Sequence, residues 1–167
     1  MPARNSTAMT LTLPSDREIV LTRVFAAPRR LVFEAWTKPE HVKQWYGCGK
    51  VSLLACEIDL RVGGGYRYIM RAPDGADLAM QGIYREIAPP GRLVYTEQFI
   101  SRDVTSNEAL VTVILAEFDG MTTLTSTILH QSKADRDAHL GSGMETGAGE
   151  TLDRLAGHLA TMAPAHT

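Results

Sequence analysis

The residues with the most chemistry in this chain lie between Tyr66 and Phe99. Tyr66, Tyr68 and Met70 alternate with Arg67 and Arg71, so the tyrosine set shares one face of a strand. Met80, Gly82, Tyr84 and Glu86 alternate with Gln81 and Arg85, and Tyr95, Glu97 and Phe99 form a further row. Brought together, these rows make an apolar patch with phenol hydroxyls and one or two carboxyls among them, the composition of ordinary small-molecule sites. A filled core whose hydroxyls bond to backbone or water fits the same pattern. A carboxyl at Glu97 or Glu86 in apolar surroundings has a raised pKa and can act as an acid or a base. The same acids paired with Arg67, Arg85 or Arg92, or turned to solvent, do neither.

Other chemistries find no matching pattern. The histidines at 41, 130, 139, 158 and 166 are scattered, with no HxH, HxxxH or HExxH spacing, so no metal site is expected. There is no Gly-x-Ser-x-Gly nucleophile motif. The triple glycine Gly63–Gly65 is followed by another strand, whereas a phosphate loop opens onto a helix; it reads as a bend, and no cofactor is expected. Cys48 and Cys56 form no CxxC, and neither a disulfide framework nor a zinc site is expected. Cys48 lies in a glycine turn, where it is either an exposed thiol or a plain turn residue.

These rows need elements to position them. Glu18 to Phe25 alternates and is rich in β-branched residues, which predicts a strand. Pro28 and Pro39 each suit the first turn of a helix, predicting helices over 28–37 and 39–45. Six strands are expected next, over 51–60, 62–71, 78–87, 92–100, 108–118 and 121–130, joined by turns short enough to make them antiparallel neighbours. Residues 131–142 are polar, with a helical turn expected near 134–140. From Gly143 to Met162 the apolar residues recur at steps of three and four, the mark of an amphipathic helix. Its inner face includes Met144, Ala148, Thr151 and Leu152, which are expected to face the tyrosines across any pocket. Gly147 and Gly149 either leave space there, allow close packing, or mark a helix that begins near Glu150. Trp36 is expected to anchor its helix, and Trp45 either anchors or lines a mouth.

The expectation is an α+β domain over 17–163: a seven-stranded curved antiparallel sheet wrapping a long C-terminal helix, with two short helices between the first and second strands. Residues 1–16 are expected to be a flexible leader whose end extends the first strand. A net charge of −2 gives no electrostatic case for nucleic acid or an anionic membrane. No apolar run approaches the ~20 residues of a membrane span. Without an export signal or disulfide pattern, the expected location is the cytoplasm.

Four stretches carry a resemblance. They are Phe25-Ala-Ala-Pro-Arg-Arg-Leu-Val-Phe-Glu-Ala-Trp36, Pro39-Glu-His-Val-Lys-Gln-Trp-Tyr-Gly47, Asp59-Leu-Arg-Val-Gly-Gly-Gly-Tyr-Arg67, and Gly82 through Pro89-Pro90-Gly91 to Glu97. Gly143-Met-Glu and Leu152-Asp-Arg-Leu155 fit as well. The chain resembles the helix-grip fold of the START-like (SRPBCC, birch-pollen-allergen-like) superfamily. More narrowly, it resembles the family named after the activator of the heat-shock-protein-90 ATPase. It departs at Ala148, where that family often carries tryptophan. The resemblance implies small-molecule or lipid binders, polyketide cyclases, antibiotic-sequestering proteins and co-chaperone domains. A shared fold does not choose among them.

The leading expectation is non-catalytic binding of a hydrophobic or aromatic small molecule between sheet and C-terminal helix. The expected lining residues are Trp45, Tyr66, Tyr68, Met70, Met80 and Tyr84, with Tyr95, Glu97, Phe99 and the four helix residues opposite. The alternatives are a module that contacts a chaperone and a polyketide-cyclase-like enzyme using Glu97, Glu86 or a tyrosine.

Overall fold

A computed structural model describes residues 8–47 and 49–162. The readings that fall on residues 1–7, Cys48, Ala163 and His166 lie outside the described residues.

In chain order the elements begin with β1 (Thr10–Thr12), β2 (Glu18–Phe25), α1 (Arg29–Thr37) and α2 (Pro39–Trp45). Then come β3 (Ser52–Ile58), β4 (Gly65–Arg71), β5 (Asp77–Ala88), β6 (Arg92–Ile100), β7 (Ala109–Phe118) and β8 (Met121–Leu129). The helices α3 (Lys133–Gly141) and α4 (Met144–Met162) close the described chain. All eight strands form one open antiparallel sheet in the order β1-β2-β8-β7-β6-β5-β4-β3. Strands β3 to β8 are a meander, as their short turns require. Because β2 pairs with β8 while β3 is the far edge, α1 and α2 carry the chain from one end of the sheet to the other.

Among the described residues the strand count is eight, not seven. Thr10–Thr12 is a strand in its own right, and it reverses through Leu13 to Arg17 to pair with Val20–Thr22. Three residues are too few for a period-two pattern, but Leu11 still packs against the core. Strand β4 starts at Gly65, later than expected. Gly63 takes φ 86°, and an added Cβ on Gly64 would lie 2.2 Å from the Asp59 carbonyl oxygen, so these glycines form a tight loop ahead of the strand.

The core lies on one face of the sheet. Leu152, Leu155 and Leu159 of α4 are buried in it, together with Leu31, Val32 and Ala35 of α1 and Val42 and Trp45 of α2. The helical turn expected near 134–140 is the full helix α3, whose Ser132 hydroxyl accepts from the Asp135 amide at 3.0 Å. Arg23 shares the inward face of β2 with Ile19, Leu21 and Phe25; it is buried and reaches Asp153 on α4.

Candidate functional site

All five tyrosines and both tryptophans of the chain line one internal cavity, with Met80 and Glu97 completing its wall. Strand β4 contributes Tyr66 and Tyr68, β5 contributes Met80 and Tyr84, and β6 contributes Tyr95 and Glu97. The register sets the rows against one another: Tyr68 pairs with Met80, and Tyr84 with Tyr95. Trp36 from α1, with Trp45 and Tyr46 at the end of α2, covers them from above.

The seven rings touch in an unbroken series. Trp36 and Trp45 have centroids 5.2 Å apart, Trp45 and Tyr46 5.8 Å, and Tyr46 and Tyr68 4.7 Å. Tyr66 then meets Tyr68 at 5.2 Å, Tyr84 at 5.7 Å and Tyr95 at 5.3 Å. These are the tilted and edge-on separations aromatic pairs prefer. Two hydrogen bonds hold the frame: Trp45 Nε1–H donates to the Ala35 carbonyl at 3.0 Å, and the Tyr66 hydroxyl donates to the Thr96 carbonyl at 2.8 Å. The enclosed volume is about 30 Å³, room for about two water molecules.

Glu97 is the one carboxyl in this wall. It keeps some accessible surface because it borders the cavity, yet desolvation pushes its carboxyl up to about 7. Among the described residues that carboxyl has neither an ion-pair partner nor a hydrogen bond. Burial, and then the Glu97 charge, raise the Tyr66 and Tyr95 hydroxyls well above the ordinary phenol range. The phenols therefore stay neutral as hydrogen-bonding groups. Cys56 on β3 is buried, and desolvation pushes its thiol up to about 11, which leaves it unreactive. Among the described residues no group of three or more His, Cys, Asp or Glu side chains could hold a metal ion.

The structure thus brings together Trp45, Tyr66, Tyr68, Met80, Tyr84, Tyr95 and Glu97 from the sequence expectation. It adds Trp36, expected as an anchor, and Tyr46. Met70 is buried and Phe99 half-buried on the same strand faces, but neither borders the cavity. The four α4 residues stand elsewhere: Leu152 is buried in the core, Met144 and Ala148 pack against it, and Thr151 Oγ1 donates to the Gly47 carbonyl at 2.8 Å. Thr151 therefore supports the loop behind the cavity, and the short helices occupy the place expected for α4.

Of the two courses open to Glu86, the structure shows the ion pair with Arg92. Arg85 is an extra residue between the pairs Tyr84–Tyr95 and Glu86–Val94. Past this bulge the faces exchange, so Ile87 packs inward and Glu86 points to solvent, 2.8 Å from Arg92 Nε.

A sheet of this topology gripping a C-terminal helix, with two short helices closing one end, is the helix-grip fold. The sequence matches, over residues 26–160, the family described as activator of Hsp90 ATPase homolog 1-like protein, and the chain belongs to that family. Solved structures agree in fold. A protein from Rhodobacter sphaeroides is 26% identical, with 92% of this chain and 99% of that one aligned at a TM-score of 0.86. One from Nitrosomonas europaea is 24% identical over 90% of this chain and 98% of its own, at 0.80. The AHSA1 protein from Silicibacter pomeroyi is 22% identical over 87% and 99%, at 0.73. No curated protein matches the sequence. Among the described residues no helix is long and apolar enough to cross a membrane.

Proposed function

We propose that this chain binds a compact hydrophobic or aromatic small molecule, without changing it chemically, in the cavity between β4–β6 and the ends of α1 and α2. The single observation behind this reading is the convergence of every tyrosine and tryptophan in the chain on one internal space that also holds a carboxyl with no partner among the described residues. A core built for stability alone has no use for that carboxyl. The ligand displaces the rim. Trp36 and Tyr46 are half-buried, and Tyr46 is followed by Gly47 at φ 128°, a backbone state that lets the segment turn sharply.

A thermal-shift screen of lipids, flavonoids and polyketides against the full chain tests the proposal. A stabilising compound should also perturb the fluorescence of Trp36 and Trp45. A flat screen with unperturbed tryptophans would overturn it. A second reading, proton-transfer catalysis by Glu97, draws on a carboxyl that titrates near neutrality. It requires turnover of a bound ligand, and that turnover must vanish in Glu97→Gln.

A further inference from the structure

We propose that the molecule bound in this cavity is a compact organic cation, an amine or quaternary ammonium group of few carbons, seated against the tyrosine and tryptophan faces with its charge toward Glu97. The proposal rests on the reading of the cavity as a ligand site and specifies its chemistry.

Charge around the cavity is one-sided. Its wall is seven aromatic rings, Met80 and one carboxyl, with no lysine, arginine or histidine among the described residues. Aromatic faces carry partial negative charge and attract cations, the more so away from water. A buried carboxylate is ordinarily paired with a cation. Some acids of this chain are paired even at the surface: Asp59 with Arg61, Asp77 with Arg71, Glu86 with Arg92. Glu97 alone faces an aromatic enclosure and has no partner among the described residues.

Candidate ligands can be compared on this wall. An anion meets the Glu97 carboxylate with no cation beside it among the described lining residues, and is repelled. A neutral apolar molecule fills the space but leaves the carboxyl unpaired. A cation satisfies the rings and the carboxylate together. The volume of about 30 Å³ limits it to a small headgroup, and even that must displace the rim. The unbranched thioether of Met80 can repack.

Choline and its neutral isostere 3,3-dimethylbutan-1-ol differ by the charge and little else. Titration calorimetry of the full chain with each, at pH 6 and pH 8, reads the effect of that charge. Choline should bind at least tenfold tighter than the isostere. Its affinity should rise about tenfold from pH 6 to pH 8, because Glu97, near 7 when the site is empty, must lose its proton to pair. Glu97→Gln should abolish that pH dependence and hold choline, at both pH values, at or below its wild-type affinity at pH 6. Tetramethylammonium and phenyltrimethylammonium extend the series to other sizes. Equal binding of choline and isostere overturns the cation and leaves the ligand site standing, as does failure of all three cations while neutral library compounds bind. If neither cations nor library compounds bind, both proposals fall.

Discussion

The carbonyl oxygen of Thr96 lies 1.7 Å from the point where a Cβ on Gly82 would sit. No side chain fits there, so β5 crosses β6 at this point only because residue 82 is glycine. The same carbonyl accepts the Tyr66 hydroxyl, and the Thr96 hydroxyl accepts the Ile83 amide at 2.9 Å. This close approach therefore lies immediately behind the cavity wall. Gly82→Ala should destabilise the chain by about 3 kcal/mol, since the clash is with backbone and cannot be relieved by a rotamer change. A urea midpoint within ~0.5 kcal/mol of wild type would show that the strands separate freely here.

Glu97 makes stability depend on pH in a stated direction. Its folded pKa, about 7, lies above the ordinary carboxyl value of 4.5. Below pH 4.5 both folded and unfolded chains hold the proton, and nothing is lost. As pH rises from 4.5 through 7 the unfolded chain ionises first, and the folded state loses about 3 kcal/mol by pH 8. Glu97→Gln should match wild type near pH 4 and exceed it by up to that amount at pH 8. A gap that is the same at both pH values would refute the cause.

Four of the five histidines form two pairs. His41 Nδ1 lies 2.9 Å from His158 Nε2, and His130 Nε2 lies 3.0 Å from His139 Nδ1. Each bond needs one ring nitrogen bare, so two imidazolium rings cannot make it. Burial, and then the neighbouring His130, lower His139 to about 4. Because the folded pKa lies below the ordinary 6.5, the stabilisation is present above pH 6.5 and fades as pH falls toward 4. His139→Gln should remove roughly 1–3 kcal/mol of that acid sensitivity, read as a flatter melting temperature between pH 6.5 and 4. Equal slopes in the two proteins would count against the pair.

Arg23 is a charge on the core face of β2, held by Asp153, and its Nε has no partner. Asp153→Ala strands that guanidinium and should cost about 1–2 kcal/mol, discounted because Asp153 is largely exposed. Arg23→Met removes both the charge and the need for its partner, and should be neutral or stabilising. If Arg23→Met proves the more damaging of the two in chemical denaturation, Arg23 contributes more than an ion pair.

Local pattern was sufficient for most elements. The strand at Glu18–Phe25, the helix at Pro39–Trp45 and the strand at Arg92–Ile100 have the boundaries their alternation and prolines predict. Tyr66, Tyr68, Tyr84, Tyr95 and Glu97 were legible as one inward-facing set because each shares a side of its strand with apolar neighbours. Pattern alone left Glu86 open between pocket and ion pair, because one inserted residue inverts every face beyond it and alternation carries no record of a bulge. Trp36 and Tyr46 were legible as aromatics near helix ends, but not as neighbours of tyrosines twenty or more residues away.

Those two aromatics mark the division. By itself the sequence determined which face of each element is apolar, where prolines start helices, and to which family the chain belongs. Those properties reside in steps of two, three or four residues along one segment. Only the tertiary structure decided what covers each face. It laid α1 and α2, and not the first turns of α4, over the tyrosine rows, and so enclosed Glu97 among the chain's aromatic side chains. That choice depends on contacts between distant segments, where packing complementarity and close backbone approach select one arrangement from several that the same local periodicities allow.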